Sequence, residues 1–313
     1  MDSIKTNFSA MTALQSLQAT NKELLKTQQR ISTGYRVASA EDNAAYWSIS
    51  TTMRSDNKAL GTVIDALGLG SATIDVAYTA LNKSIEVTSE IKAKLVAARE
   101  PGVNRTQIQS EITELQNQLQ SNASSAVFSG QNWLSVDSSA AGYNMTKSVV
   151  ASFTRASDGT ISIGTINFSV DNSKLYDASA SSSGILDGLR DGTGAQSASG
   201  TYSVATINVA ALSDSAADLT TLEEYIRGVD AAMAEMTTAG ASLGSTKKRI
   251  GLQQTFVKVL MDAIERGVST LVDANMNEES TKLQALQVQQ QLGVQALSIA
   301  NSSSQNILSL FRN

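Results

Sequence analysis

The sequence of 313 residues contains neither histidine nor cysteine. Their absence excludes disulfide bonds, zinc sites with thiolate or imidazole ligands, cysteine nucleophiles and histidine general bases. Proline is nearly absent as well, since Pro101 is the only one where an average usage of about 5% would give roughly 16. Because proline interrupts helices, a chain with so little of it can sustain very long ones. Aromatic residues make up 5% of the chain, which is few for a large globular core.

Charge and hydropathy indicate whether the chain binds nucleic acid, spans a membrane or carries a signal peptide. The formal net charge is −5, which argues against nucleic acid as the main partner. The sequence has no run of 18 apolar residues, and no apolar segment follows the polar residues 1–7. We therefore expect no membrane-spanning helix and no cleaved signal peptide.

Apolar residues recur at alternating spacings of three and four over long stretches, the pattern of a helix packed on another helix. One stretch runs from 53 to 95 and ends before Pro101-Gly102. Another runs from 219 to 271, which as one helix is on the order of 75 Å long. A shorter one covers 108–126, and Asn104 before it is typical of a helix N-cap. No single globular core covers such rods, so other helices must pack against them.

Each end of the chain carries a further amphipathic helix, separated from the long stretches by a break in the apolar pattern. The breaks fall at 32–36 and 275–280. Because the terminal stripes are narrow and lie among Gln, Asn, Ser and Thr, we expect these ends to be largely disordered without a partner. Two arrangements stay open: the ends pack on each other within one chain, or they pack on copies of themselves in a polymer. The residues that we predict to drive self-assembly are Phe8, Met11, Leu14, Leu17, Leu24, Ile31, Leu283, Leu286, Leu292, Leu297, Ile299, Ile307, Leu310 and Phe311.

The middle of the chain, from about 135 to 217, is rich in Ser, Thr, Gly and Ala and shows two-residue alternation instead. Residues 149–153 and 161–170 predict two strands joined by a Ser-Asp-Gly turn, with a bulge at Gly164-Thr165. Residues 202–209 predict another strand pair. The expected fold class is therefore mainly α: a long antiparallel coiled-coil helical hairpin formed by both termini, with a small β-containing inserted domain.

The sequence contains few motifs that could carry out catalysis or bind a cofactor. Residues 240–244 match the G-x-S-x-G motif of hydrolases, which requires a strand–turn–helix context and a histidine base. Here the motif lies inside the helix predicted at 219–271, where small residues let helices approach closely. We find no catalytic, cofactor or metal site and expect a protein that is not an enzyme.

Three separated segments resemble the bacterial flagellin family. Residues 29–45 read QRISTGYRVASAEDNAA and look like the flagellin signature, and 128–134 read FSGQNWL, similar to the family segment that closes a shorter helix. Residues 296–312 resemble the flagellin C-terminus. The resemblance covers about residues 1–135 and 220–313, and the sequence is most similar to flagellins of alphaproteobacteria. The signature and linker residues are Arg30, Ser32, Gly34, Arg36, Ser39, Asp42 and Asn43.

This resemblance implies a structural subunit that polymerises with copies of itself or related flagellins into the extracellular flagellar filament used for swimming. It implies that residues 1–45 and 276–313 form the filament core, 46–139 and 218–275 a surrounding helical rod, and 140–217 a variable insertion that faces solvent. It also implies export by the flagellar secretion apparatus, and an export chaperone, a hook-junction protein and a filament-cap protein as partners, with no nucleic acid and no membrane. The alternatives are the hook–filament junction protein, whose ends are similar, and a cytoplasmic coiled-coil scaffold.

The resemblance also points to a segment sensed by immune receptors. Flagellins that the vertebrate Toll-like receptor senses read R-V-R-E-L where this chain has residues 90–94. Glu90 replaces a positive residue and Lys94 an apolar one. Because a reversed charge at a contact costs several kcal/mol, the resemblance implies poor activation of that receptor.

Overall fold

The computed structural model describes residues 7–179 and 182–310, with the backbone alone for 303–310. Among these residues there are five α-helices, which are α1 (Phe8–Thr33), α2 (Ala44–Ala97), α3 (Arg105–Ser124), α4 (Ala216–Val272) and α5 (Met276–Leu310). The chain forms two compact units. The terminal unit comprises the described parts of Met1–Lys58 and Met261–Asn313, and the central unit those of Ala59–Leu260. The division into core, rod and insertion stays a prediction.

The long apolar stretches are helix–helix contacts in the central unit, as predicted. Ion pairs of 2.5 Å join Asp75 to Lys247 and Lys92 to Asp230, so α2 and α4 run antiparallel. Each helix carries buried apolar side chains at intervals of seven residues, namely Leu67, Ile74 and Leu81 on α2, and Met236, Leu243, Ile250 and Val257 on α4. This heptad spacing keeps one face of each helix against its neighbour.

The helix ends follow from local residues. α1 ends at Gly34, whose φ of +75° is a left-handed conformation that favours glycine. α2 ends shortly before Pro101-Gly102, and Gly102 has a φ of +78°. The side chain of Asn104 accepts a hydrogen bond from the Gln107 N–H at 3.2 Å, which confirms the predicted cap of α3.

Two antiparallel strands, β4 (Thr146–Arg155) and β5 (Ile161–Ser169), form the predicted hairpin. Four shorter strands precede or follow it and were not predicted: β1 (Val127–Phe128), β2 (Gln131–Asn132), β3 (Ser135–Val136) and β6 (Tyr176–Asp177). β1 pairs antiparallel with β2, and β3 pairs parallel with β6. Two residues give too short an alternation for a sequence pattern to reveal.

The bulge predicted at Gly164-Thr165 lies in the opposite strand. Val150 pairs with Thr165 and Ser152 with Gly164, so the extra residue is Ala151. Gly164 is needed for a different reason, because a Cβ there would lie 2.3 Å from the Ser152 Oγ. The glycine therefore marks the close approach of the partner strand and not the extra residue.

The strand pair predicted at 202–209 is wrong. Val204–Thr206 form a short 3-10 helix, and the segment packs on α3. The Gln116 side-chain amide donates hydrogen bonds to the Val204 carbonyl (2.9 Å) and the Ile207 carbonyl (3.1 Å). Gln109 accepts the Val209 N–H at 2.8 Å. Side-chain amides thus satisfy backbone groups that a neighbouring strand would otherwise have paired.

Three buried charged residues, Lys174, Asp177 and Arg190, stabilise the middle of the chain. Asp177 accepts hydrogen bonds from the Ser138 N–H (2.9 Å) and hydroxyl (2.7 Å), the Ser183 hydroxyl (2.7 Å) and the Lys174 ammonium (3.1 Å). Burial alone would raise the pKa of Asp177, but these donors hold it far below its ordinary value. Arg190 is fully buried and donates to both carboxylate oxygens of Glu235 on α4 at 3.1 and 2.7 Å.

One helix of the described residues, α2, is long and apolar enough by length and composition to cross a bilayer, although the sequence analysis predicts no such helix. This match is weak support for a membrane span, because core helices of water-soluble proteins pass the same test. The buried face of α2 instead belongs to the helix packing of the central unit, where ion pairs join α2 to α4.

Candidate assembly surfaces

The two terminal helices, α1 and α5, run antiparallel along each other in the terminal unit. Their register is marked by polar contacts of Asn7 with the Ala300 carbonyl (2.9 Å), Asn21 with Gln290 (2.7 Å), Glu23 with Lys282 (3.3 Å) and Arg30 with Glu279 (2.9 Å). The single chain therefore has the ends packed on each other, and both are helical rather than disordered. Where they cross closely, a Cβ on Gly293 would lie 3.1 Å from the Leu17 Cδ1.

The predicted assembly residues separate into two groups, and the first lies inside this helix pair. Leu24 on α1 and Leu286 on α5 are buried, with exposed fractions of 9% and 8%. The half-buried members of this inner face are Leu17, Ile31, Leu283 and Leu297. These six residues hold the two ends of one chain together.

The second group lies on the outside of the pair. Phe8, Met11, Leu14, Leu292 and Ile299 are all exposed, by 45% to 69%. Leu25, Val288 and Val294 are not in the predicted assembly set but are also exposed on these two helices, by 66%, 55% and 53%. The side chains of Ile307 and Leu310, and the whole of Phe311, lie outside the described residues.

Helix geometry shows that α5 has two apolar stripes. At about 100° per residue, Val288, Leu292 and Ile299 fall within roughly 40° of one another. Their stripe lies about 150° around the helix from Leu283 and Leu286, which face α1. We call Val288, Leu292 and Ile299 the outer stripe of α5, and Met11, Leu14 and Leu25 the outer stripe of α1. A helix with two apolar faces has one left over after packing within its own chain.

The terminal helices α1 and α5 each contain a long segment without charged residues. No charged residue occurs from 283 to 310 on α5, nor from 7 to 21 on α1. Glutamine, asparagine, serine and threonine supply the polar surface instead. Such surfaces can be brought together without desolvating ions and without like-charge repulsion.

Comparison with known proteins supports the resemblance to flagellins that the sequence shows. Two family models match the chain, the bacterial flagellin N-terminal helical region over residues 4–138 and the bacterial flagellin C-terminal helical region over residues 226–311. Flagellin C of Rhizobium meliloti (strain 1021) is similar, with 50% identity over the full length of both chains. The chain belongs to the bacterial flagellin family. Flagellin A of Rhizobium meliloti and a flagellin of Brucella melitensis biotype 1 are each 44% identical, again over the whole of both chains.

Membership of the flagellin family confirms the predicted resemblance. The predicted similarity to flagellins of alphaproteobacteria is confirmed as well, since Rhizobium meliloti is an alphaproteobacterium. The chain accordingly has the structural role of a flagellar filament subunit, and neither the hook–filament junction protein nor a cytoplasmic scaffold is favoured. Neither family model covers residues 139–225, which contain the predicted insertion 140–217.

The flagellin signature residues tie the end of α1 to the end of α4. Gly34 caps α1 by donating its N–H to the Arg30 carbonyl at 2.8 Å, while the Arg30 side chain pairs with the buried Glu279. Arg36 donates its N–H to the Val272 carbonyl (2.7 Å) and its guanidinium to the Leu271 carbonyl (3.0 Å). These residues therefore stabilise the connection between helices, and Ser32 lies exposed beside them.

The remaining signature residues begin α2. Asp42 accepts the N–H groups of Ala38 (3.1 Å) and Ser39 (3.3 Å). Burial alone would raise the pKa of Asp42, but these hydrogen bonds and Lys26 hold it below its ordinary value. Asn43 accepts the Tyr46 N–H at 3.0 Å and so caps the first turn of α2.

The two positions aligned with the immune-receptor segment lie on α2. Glu90 is exposed, and the Lys94 ammonium forms an ion pair with Glu111 on α3. The G-x-S-x-G match at 240–244 lies within α4, where a Cβ on Gly240 would be in ordinary contact with Leu81 at 3.6 Å. Its glycines thus lie where α4 contacts α2, in a helix that lacks the strand–turn of a nucleophile elbow.

Proposed function

We propose that this chain polymerises into the flagellar filament by burying the outer stripes of α1 and α5 against neighbouring copies, with related flagellins admitted to the same polymer. The observation that carries this proposal is the second, exposed apolar stripe of α5 in a segment without charge. The six inner-face residues, by contrast, pair the two ends of one subunit. In this arrangement residues 1–45 and 276–313 form the core, 46–139 and 218–275 the rod, and 140–217 the outer surface.

The two outer stripes differ, and this difference favours a polymer over a closed dimer. A contact between the α5 stripe of one copy and the α1 stripe of the next is heterologous and leaves one stripe of each kind free at the ends. Further copies add to these free stripes. A symmetric contact of two α5 stripes would instead stop at a dimer, which sedimentation distinguishes from a filament.

The energies are sufficient only when several residues act together. Complete burial of a Leu or Ile side chain contributes about 1.5–3 kcal/mol, so covering the exposed half of one contributes about 1 kcal/mol. The six residues of the two outer stripes together supply about 6 kcal/mol per subunit before the entropy of ordering is subtracted. Replacing one stripe residue by a charged residue should therefore block assembly, because the new charge would be buried without a partner.

Leu292→Asp tests the outer stripe. We expect this variant to keep the helix content of the parent but to form no filaments when heat-depolymerised protein is reseeded and viewed by electron microscopy. Leu292→Met, which keeps an apolar side chain of similar volume, is the matched control and should polymerise. Leu24→Asp should also abolish filaments, but by opening the helix pair, so its helix content should fall. Normal filaments from Leu292→Asp would contradict the proposal.

We further propose that the flagellar secretion apparatus exports the chain without cleaving a signal peptide, that a chaperone holds its C-terminal segment beforehand, and that cap and hook-junction proteins contact the assembled subunits. Its family and the uncharged segments 7–21 and 283–310 of its terminal helices support this. The intact mass of filament protein is the direct test, and a mass lacking an N-terminal segment would refute it. We propose no enzymatic activity and no nucleic acid or membrane partner, in keeping with the structural role of the family.

Poor activation of the vertebrate Toll-like receptor is likewise proposed from Glu90 and Lys94. Glu90→Arg combined with Lys94→Leu should raise receptor signalling in a reporter assay. Because Lys94→Leu also removes the partner of Glu111, Lys94→Leu alone is the control. No gain in the double variant would contradict this proposal.

A further inference from the structure

The methionine side chains of the described residues differ strongly in exposure. Met11 on α1, Met145 just before β4 and Met276 on α5 are 59%, 54% and 46% exposed. Met236 on α4 is fully buried. A peroxide reaches the thioether sulfur from solvent and converts it to the polar sulfoxide, so exposed methionines react faster than buried ones. The exposed sulfurs of the free chain are therefore open to oxidation.

Met11 differs from the other two exposed methionines because it lies on a proposed assembly surface. It belongs to the outer stripe of α1 together with Leu14 and Leu25, which are 45% and 66% exposed. Met276 lies about 120–160° around α5 from the outer stripe of that helix. Met145 lies in the middle of the chain, outside both terminal helices. A sulfoxide at Met11 therefore falls in a surface that the proposed polymer buries.

The surroundings of Met11 cannot compensate for an added polar atom in the polymer. No charged residue occurs from 7 to 21, and the outer stripe of α5 that we propose to face Met11 in the next copy consists of Val288, Leu292 and Ile299. The sulfoxide oxygen is a hydrogen-bond acceptor. Water solvates it in the free chain, whereas an apolar stripe offers it no donor. Oxidation therefore disfavours the polymer and leaves the free chain almost unaffected.

We propose that Met11 is an oxidation site that controls whether the chain enters the filament, with hydrogen peroxide as the oxidant. A sulfur lone pair attacks one peroxide oxygen and the O–O bond breaks. The second oxygen leaves as hydroxide and takes the proton of the transferred oxygen, which gives the sulfoxide and water. Sulfur loses two electrons and the peroxide gains them. A thiol-dependent methionine sulfoxide reductase restores the thioether, so the block is reversible.

This inference rests on the proposed polymerisation and adds a chemical control to it. The site is open only before assembly, because in the filament the neighbouring copy covers the outer stripe. Met145 supplies an internal comparison, since it is equally exposed in the free chain but belongs to neither stripe. The two methionines should therefore react alike in the free chain and differently in the filament.

Competition within one partly oxidised sample tests the proposal. The full-length chain is treated with hydrogen peroxide until about half of Met11 is oxidised, the peroxide is removed, and filament seeds are added. Peptide mass mapping then compares the filaments with the chain left in solution. We expect Met11 sulfoxide to be at least tenfold rarer in the filaments, whereas Met145 sulfoxide should be equally frequent in both fractions. Equal frequencies of Met11 sulfoxide would overturn the inference.

Two variants separate Met11 from the other oxidised positions. For each chain the readout is its elongation rate after peroxide divided by its own rate before peroxide, so a change in the untreated rate does not matter. Met145→Leu should lose elongation at least tenfold, as the parent does. Met11→Leu should lose less than twofold, and an equal loss in Met11→Leu would assign the effect to another methionine and overturn the inference.

The protection of Met11 by assembly gives a second readout. Peroxide added to finished filaments should oxidise Met11 at least tenfold more slowly than in the free chain, while Met145 keeps its rate. Equal rates at Met11 in the two forms would contradict a site that closes on assembly. Failure of the untreated chain to form filaments would instead refute the proposed function.

Discussion

Replacing Gly70 by alanine tests how closely the β4–β5 hairpin lies on α2. A Cβ at Gly70 would lie 2.5 and 2.7 Å from the two γ-methyl carbons of Val149. Rotation of Val149 gives little relief, because a β-branched side chain is stiff at χ1 and both methyl groups are already too close. Overpacking costs about 1–3 kcal/mol, while replacing a helical glycine gains about 0.5–1 kcal/mol. We expect Gly70→Ala to lower the free energy of unfolding by about 1 kcal/mol.

Two further variants make this prediction sharp. Gly68 lies two residues away on the same helix, where an added Cβ would meet no atom within 4 Å, so Gly68→Ala should raise the free energy of unfolding by about 0.5–1 kcal/mol. Combining Gly70→Ala with Val149→Ala removes the clashing methyl groups, so the double variant should be more stable than the two single changes predict when added. Urea unfolding of the monomer followed by circular dichroism measures all of them. Equal effects of Gly68→Ala and Gly70→Ala, or strict additivity, would refute the close approach.

Charged side chains yield the other predictions. Burial alone would raise the pKa of Asp177, but its hydrogen bonds hold that pKa well below the ordinary value of 3.8, so its stabilising contribution is present above about pH 4 and is lost as the pH falls. Asp177→Asn should therefore reduce the loss of stability between pH 5 and pH 2.5 that urea titrations measure. This is about the pH range over which the carboxyl titrates in the unfolded chain. An unchanged dependence of stability on pH would contradict this assignment. Arg30→Met leaves the carboxylate of Glu279, which is 7% exposed, without its partner and should destabilise the α1–α5 pair by up to about 3 kcal/mol. Adding Glu279→Leu should restore the hydrogen-exchange protection of α1, and continued loss of protection in the double variant would count against a buried-charge penalty.

The helices could be predicted from the sequence because one signal dominates them. Apolar residues at heptad spacing, Pro101 and the glycine that ends α1 each act within a few residues, so neighbouring positions suffice to predict them. The hairpin was predictable for the same reason, through alternation and its Ser-Asp-Gly turn. The segment 202–209 was not, because its backbone partners are Gln109 and Gln116, which lie about ninety residues earlier in the chain. A local pattern shows that residues are buried, but it does not show what buries them.

The same limit explains why the terminal residues were predicted as one set. Leu286 and Leu292 are both apolar members of α5, yet Leu286 is 8% exposed and Leu292 is 58% exposed. Their separation of six residues is about 240° around a helix, so a helical projection could have placed them on different faces. It could not have told which face meets α1, because that depends on the partner helix some 270 residues away.

The outer stripes proposed as assembly surfaces of this flagellin attract neighbouring copies without the help of charge. The outer stripe of α5 lies in a segment from 283 to 310 without charge, so screening by salt leaves its attraction for a neighbouring copy unchanged. The uncharged stripes therefore govern how firmly a neighbouring copy stays bound, because apolar burial near 25 °C is insensitive to screening and is lost only when the stripe is exposed again.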